Sequence, residues 1–432
     1  MKTILPLLLL VTLFVSCAPY HLLRNSAKKT IADPVLEAAH VGISVFDPIR
    51  NQYLYNYQGD KYFVPASNTK LPTCFAAMKY LGDSVTAFHY EIQDGDLHIR
   101  PAGDPTFLHP DFNAQPAFEF LRKENKKIVV DISRWKDQPL GSGWSWNDYS
   151  ADYMAERSVM PLYGNVVRFS RRLKQLMVVP RYFQNSIALD TTGAEGMYPS
   201  SVQRDLALNH FVVRGLDRNE SHIATPFITA ESEVTADLLA DTLHLPVVAR
   251  NDSAIKKTKR FYSRPVDSML RLMMYESDNF FAEQSLLMVS NEMLGTMNDA
   301  RVIDALLRYD LKDLPQKPRW VDGSGLSRFN LFTPQDMVSV LNKMRTEFGM
   351  ERMKKVLPSG NTGTLEGYYR ADSSFIYAKT GTLSGVIALS GYLYTKKNRL
   401  LIFSFLVNNH LSSATQVRRA IERFIEGIRN NY

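Results

Sequence analysis

The stretch Phe63-Val64-Pro65-Ala66-Ser67-Asn68-Thr69-Lys70-Leu71-Pro72-Thr73-Cys74-Phe75-Ala76-Ala77-Met78-Lys79-Tyr80-Leu81-Gly82 decides how the rest of the chain is read. From Ser67 to Leu81 its apolar residues recur at helical spacing, with Leu71, Cys74, Phe75, Met78 and Leu81 on one face and Gly82 as the stop. Ser67 stands at the helix start, where backbone N–H groups lack an intrahelical partner, and Lys70 lies one turn on, on the same face. A serine hydroxyl is a poor nucleophile at neutral pH. A lysine that is partly desolvated and held near other cations loses its proton more readily and can serve as the base. Pro72 falls in the first turn, where it can tighten or bend the helix without removing either group.

Ser-x-x-Lys spacing alone carries little information, since it recurs at Ser26/Lys29, Ser133/Lys136 and Ser253/Lys256. Only Ser67 opens an apolar helix. Two further motifs follow in order, Ser277-Asp278-Asn279 and Lys379-Thr380-Gly381, the latter directly before the strand-like run Leu383 to Tyr394. Ser-x-Asn also recurs, at Ser145/Asn147 and Ser359/Asn361, so order and context select the set. Amide cleavage assigns the roles: Ser277, hydrogen-bonded to Lys70, relays a proton to the leaving nitrogen. Asn279, both donor and acceptor, holds a peptide amide beside Asp278. Lys379 and the Thr380 hydroxyl suit a free carboxylate, and Gly381 lets a peptide backbone approach as an added strand. Backbone N–H groups of Ser67 and Thr382 would meet the developing oxyanion, a contribution of about 3 kcal/mol per donor in other enzymes.

Val41 to Phe46 and Tyr53 to Tyr55 read as a hairpin across Asp47-Pro48 and Asn51. Residues 89 to 260 have short alternating runs, such as Ile128 to Ile132, Gln175 to Val179 and Phe211 to Arg214, with many turns and no long amphipathic helix. We read them as a β-rich insertion of one or two small domains, bounded at 89–261. Helices return after it. A strand pair, Val386 to Tyr394 and Leu400 to Val407, precedes a last helix whose stripe Val417, Ala420, Ile421, Phe424, Ile425 and Ile428 packs on that sheet. Sheet elements at both termini imply one core domain, 18–88 plus 262–432, of an α+β class.

The 432 residues exceed a usual single domain, and 45% hydrophobic with 22% charged residues exclude a disordered chain. Lys2, the apolar run Leu5 to Val15, and Ser16-Cys17 read as a secretory leader, too short to span a bilayer as a helix. The small residue before Cys17 resembles a bacterial lipoprotein signal over 1–17, with Phe14 where Leu is usual; lipidation of Cys17 would then anchor the chain to a membrane. Cys74 remains as the single other thiol. No intrachain disulfide can form in the mature chain, and its apolar neighbours predict a buried structural cysteine. A net charge of +7 suits an anionic partner, but the basic cluster Lys256, Lys257, Lys259 and Arg260 lacks interleaved aromatics and export excludes nucleic acid. No two histidines stand three or four apart, so a helical metal motif is absent.

The three motifs in this order are the set found in β-lactamases and penicillin-binding proteins. Longer strings, Phe63 to Leu71, Gly103-Asp104-Pro105-Thr106, Asp322 to Ser327 and Ala378 to Val386, resemble the low-molecular-mass class C penicillin-binding proteins, D-alanyl-D-alanine carboxypeptidases and endopeptidases. That resemblance implies an antiparallel sheet flanked by helices, with β-rich domains inserted between the first two motifs, here 210 residues apart. It also implies a periplasmic or cell-envelope hydrolase without metal or organic cofactor. Its substrates would be peptidoglycan stem peptides, and β-lactams its covalent inhibitors. Gly143-Trp144-Ser145-Trp146-Asn147-Asp148 is similar to the family's inserted-domain loop, where an acid senses the amino end of the peptide side chain. The resemblance implies that Asp148 is that acid, the alternative being an ordinary Trp-rich domain contact with a solvated Asp. Other readings of the whole chain are a β-lactamase or esterase on the same scaffold, or a non-catalytic peptidoglycan-binding lipoprotein.

Overall fold

The two ends of the chain share one sheet. The computed structural model describes residues 23–432 apart from 173–174, 191–199, 216–221, 230–232, 252–254, 256–257 and 372, so Cys17, the leader and part of the basic cluster lie outside the described residues. Strands β1 (His40–Asp47) and β2 (Gln52–Tyr57) form the expected hairpin. The helix predicted after Ser67 begins as a 3-10 turn, Ala66–Thr69, and continues as an α-helix over Lys70–Tyr80. Pro72 sits in the first α-helical turn, directly after the 3-10 turn. The predicted one-sided stripe is too narrow a description. All residues from Lys70 to Met78 are buried, because sheet and helices enclose the helix on every side.

From there the chain enters β3 (Ser84–Gln93), β4 (Asp96–Pro101) and β5 (Ile128–Asp131), then β6 (Val166–Arg172), β7 (Gln175–Val179), β8 (Ile187–Asp190), β9 (Ser201–Arg204), β10 (Phe211–Arg214), β11 (His222–Pro226), β12 (Val247–Arg250) and β13 (Lys259–Pro265). They build a mixed five-stranded sheet, β12-β5-β4-β3-β13, and two three-stranded sheets, β11-β6-β7 and β8-β10-β9. Two helices, Pro116–Glu124 and Glu233–Leu243, also lie in this β-rich middle. Ala117, Leu121, Leu238 and Leu239 bury them against sheet residues including Phe88, Leu97 and Val130. β3 and β13 pair antiparallel, with Phe88 opposite Phe261, so the expected boundaries 88/89 and 261/262 fall on adjacent strands.

Beyond β13 come helices Val266–Tyr275, Asn279–Leu294, Asp299–Tyr309, Pro334–Phe348 and Met350–Val356, and then β14 (Ile376–Leu383), β15 (Val386–Tyr394) and β16 (Leu400–Asn408). The sheet runs β14-β15-β16-β1-β2, entirely antiparallel, with Ser44 opposite Ser404 and Lys379 opposite Ser390. β15 and β16 are mostly apolar runs, interrupted by Ser390 and Ser404, because both faces are covered. Helix Ala414–Asn431 lays its predicted stripe on one face with Ile43, Val45 and Phe405. On the other face Tyr392 donates to the Leu341 carbonyl of helix Pro334–Phe348 at 2.7 Å. Each large apolar side chain so buried contributes about 1.5–3 kcal/mol. The result is a rigid wall carrying β14 beside Ser67.

Candidate active site

Lys379-Thr380-Gly381 lies inside β14 rather than before a strand, and the strand ends two residues later at the Ser384-Gly385 turn, where Gly385 has φ of +73°. A side-chain carbon at Gly381 would come 2.8 Å from the Pro65 carbonyl oxygen and 3.1 Å from the Ser67 backbone nitrogen. Only glycine therefore lets β14 lie against the serine turn. Asn68 reinforces the contact by donating to the Lys379 carbonyl at 2.9 Å. Thr382 is exposed, and its hydroxyl accepts from Arg418 at 2.7 Å. Thr380 is half-buried on the same strand.

Two left-handed, non-glycine residues aim the reacting groups. Ala66, at φ of +47°, turns the chain into the half-buried Ser67, and Ser277, at φ of +60°, turns helix Val266–Tyr275 into helix Asn279–Leu294. Such conformations cost about 1–3 kcal/mol each and persist where surrounding packing imposes them. Asp278 caps the second helix, its carboxylate accepting the Phe281 N–H at 2.9 Å. This is a structural use that the expectation of substrate contact had not assigned to it.

Lys70 is fully buried, and its ammonium nitrogen lies 3.0 Å from Ser67 Oγ, 2.6 Å from Asn279 Oδ1 and 2.9 Å from the Ser324 carbonyl. Burial pulls its pKa down from 10.5 to about 8, against the opposing pull of Asp278, Asp322 and Glu283. Lys379 is also buried; desolvation and then the nearby Lys70 charge hold it well below the usual lysine range. Its nitrogen donates to Ser277 Oγ at 2.8 Å and to the Thr380 carbonyl at 2.9 Å. The sequence paired Ser277 with Lys70; the structure pairs it with Lys379 and gives Lys70 to Asn279. The amide of Asn279 is likewise committed, its nitrogen donating to the Tyr153 carbonyl at 3.0 Å. Ser67–Lys70–Asn279 and Ser277–Lys379 thus form two hydrogen-bonded groups, set side by side by the charge contact between Lys70 and Lys379.

A family model for the D-Ala-D-Ala carboxypeptidase 3 (S13) family matches residues 23–431. The chain belongs to that family. It is similar to D-alanyl-D-alanine carboxypeptidase DacB of Haemophilus influenzae, 24% identical over 92% of this chain and 91% of the relative. It is also similar to the D-alanyl-D-alanine carboxypeptidase of Actinomadura sp. strain R39, 26% identical over 91% and 82%. Among solved structures, penicillin binding protein 4 (dacB) from Haemophilus influenzae superposes with a TM-score of 0.71 at 21% identity, covering 91% of this chain and 96% of that one. A predatory peptidoglycan endopeptidase from Bdellovibrio bacteriovorus gives 0.53 at 13% identity, over 90% and 93%. These likenesses show a shared fold.

In this S13 chain the sequence missed the loop behind Lys70. Asp322 is buried and accepts from Gly325 N at 2.8 Å, Ser327 N at 2.6 Å, Asn330 at 2.7 Å and Trp144 Nε1 at 3.0 Å. The loop's Gly323 and Ser324 carbonyls receive Thr73 and Lys70. Asp322-Gly323-Ser324-Gly325 was visible as a matching string, but its contacts are long-range. Asp148 is half-buried in the turn Trp146–Asp148, beside the Tyr153 hydroxyl, whose pKa it helps to raise after burial. Trp144 packs against Arg157, ring to guanidinium 5.8 Å, so this loop also makes a structural contact. Cys74 is buried, as predicted. Among the described residues there is no group of three or more His, Cys, Asp or Glu that could hold a metal, and no helix long and apolar enough to cross a membrane.

Proposed function

We propose that the chain is a serine-type D-Ala-D-Ala carboxypeptidase that cleaves peptidoglycan stem peptides through an acyl-Ser67 intermediate. The observation that carries this is the buried Lys70 nitrogen 3.0 Å from Ser67 Oγ, with its pKa brought down to about 8. Neutral Lys70 takes the serine proton as Oγ attacks the carbonyl carbon, and the backbone N–H groups of Ser67 and Thr382 receive the oxyanion. The proton that Lys70 took from Ser67 is returned to the departing D-alanine nitrogen as the amide bond breaks; Ser277, whose hydroxyl accepts from Lys379 Nζ at 2.8 Å, is the relay that the substrate nitrogen meets. Lys379 and Thr380 attract the terminal carboxylate, Gly381 leaves room for the peptide backbone along β14, and water then hydrolyses the ester. Asn279 orients Lys70 rather than the substrate, and Asp278 holds the helix that carries Asn279.

β-Lactams acylate the same serine, having the same amide and carboxylate. Asp148, reached through Tyr153 and Asn279, senses the amine of the stem peptide's side chain. The enzyme works in the cell envelope, with Cys17 as a lipidated N-terminus and the segment 89–261 as an inserted, β-rich arm of the peptidase domain. Endopeptidase action uses the same acylation with a larger leaving group. The test is mass analysis of products from a pentapeptide muropeptide and a cross-linked dimer. Free D-alanine from the first supports the carboxypeptidase; an untouched dimer removes the endopeptidase part. Turnover of penicillin faster than of the peptide would replace the reading with a β-lactamase.

A further inference from the structure

Glu283 follows Asn279 by four residues on helix Asn279–Leu294 and so lies one turn deeper on the same face. It is 1% exposed. Its Oε1 accepts the Ser324 N–H at 2.7 Å, and the carbonyl of that same residue accepts from Lys70 at 2.9 Å. Its Oε2 lies 3.5 Å from Arg157 Nη1 and accepts no hydrogen bond. Arg157 is itself 1% exposed and is held by Asp299 at 2.5 Å, Asp137 at 2.9 Å and the Gln138 carbonyl. A chain of contacts therefore runs from the segment around 137–157, through Glu283 and Ser324, to the base of Ser67. Neither Arg157 nor Glu283 belongs to any of the three motifs.

We propose that Glu283 is a positioning residue for Lys70: it fixes the Ser324 backbone that aims the amine at Ser67, and its charge, balanced by Arg157, sets how readily Lys70 gives up its proton. This rests on Ser67 being the acylated nucleophile and Lys70 its base. The geometric part follows from donor counting. An ammonium can donate to all three of its neighbours, whereas a neutral amine has two N–H groups and one lone pair. With Asn279 Oδ1 and the Ser324 carbonyl taking the two N–H groups, the lone pair points at Ser67 Oγ. Moving the Ser324 carbonyl misdirects it.

The electrostatic part follows from what faces the pair. Around Glu283 stand Lys70 from the serine helix, Asp322 from the loop, Asp278 from its own helix end, Asp299 from the next helix, and Arg157 with Asp137 from the inserted region; Lys379 faces Lys70 from β14. Carboxylates outnumber cations here. Burial, and then Asp322, push Glu283 up to about 8, into the window where Lys70 titrates. As pH rises, ionisation of Glu283 makes Lys70 hold its proton longer, which flattens the ascending limb of the rate profile.

The test is the rate of acylation by a fluorescent penicillin from pH 5 to 10 for the full chain, Glu283→Gln and Glu283→Ala, with thermal unfolding recorded for each. Glu283→Gln keeps an acceptor for Ser324 but no charge. Its limb should steepen to a single proton and its midpoint move about one pH unit lower, raising the fraction of its own plateau about twofold near pH 9, while at about pH 6, where wild-type Glu283 is itself protonated, the two fractions coincide. Glu283→Ala strands the Ser324 N–H and should lower the plateau about 10–100-fold. If that variant unfolds, the Gln profile alone decides. A Gln variant with the wild-type midpoint and slope, in a protein still acylated at Ser67, overturns the proposal and leaves the Ser67–Lys70 reading standing. No acylation of the wild type sinks both.

Discussion

Raising the pH across neutrality should switch on acylation through one group, Lys70. An ordinary lysine at 10.5 would be neutral in only about one molecule in three thousand at pH 7; at a pKa of about 8 the neutral fraction is roughly one in ten. Burial thus supplies a factor of about 300 in reactive base. The rate constant for acylation by a chromogenic or fluorescent β-lactam should rise by up to about ninefold from pH 6 to 7 and level off by about pH 9. Ionisation of Glu283 across the same range makes the rise shallower. Lys70→Arg, which keeps the charge and cannot lose it, should abolish the rise and cost at least about 100-fold at pH 8. The same displacement has a stability consequence. The folded protein releases this proton before the unfolded chain does, so Lys70 costs stability below about pH 8, and the cost disappears as pH climbs from 8 to 10.5. A rate that keeps rising tenfold per unit beyond pH 9 would refute the assignment of Lys70 as a buried, depressed base.

Three further outcomes follow from named contacts. Ser277→Ala removes the hydroxyl that Lys379 holds at 2.8 Å and should slow acylation about 100-fold or more while penicillin affinity changes little, read from the saturation curve. Gly325→Ala places a carbon 1.9 Å from the Ala66 carbonyl oxygen at φ of +83°; it should destabilise by at least about 3 kcal/mol in urea unfolding and lower acylation in the fraction that folds. Cys74 is fully buried and desolvation raises its thiol pKa, so it should not react with an aromatic disulfide reagent at pH 8 until the protein is unfolded.

What the sequence made legible was local. Ser67 and Lys70 share a helix start, so three residues of spacing sufficed to place them. β15, β16 and the stripe on the last helix were readable because a doubly covered strand and an amphipathic helix each leave a periodic signature within a dozen residues. The β-rich middle hid helix Pro116–Glu124, which has only two fully buried residues, Ala117 and Leu121. Lys-Thr-Gly interrupts the apolar pattern of β14, so the strand was read as starting too late. The exchange of partners at Ser277 and Asn279 could not be read at all. Both side chains are two residues apart, and which lysine meets which depends on the left-handed turn at Ser277. Ser324 reaches Lys70 across more than 250 positions. Glu283 left one faint signal, its four-residue offset from Asn279.

Acylation is expected at Ser67, with Lys70 as its base. Intact-mass measurement after incubation with penicillin, followed by peptide mapping, tests it most directly. One adduct per chain is expected on the peptide containing Ser67, absent in Ser67→Ala and far slower to appear in Lys70→Arg. An adduct of unchanged yield in Ser67→Ala, or one mapped to another serine, would contradict it.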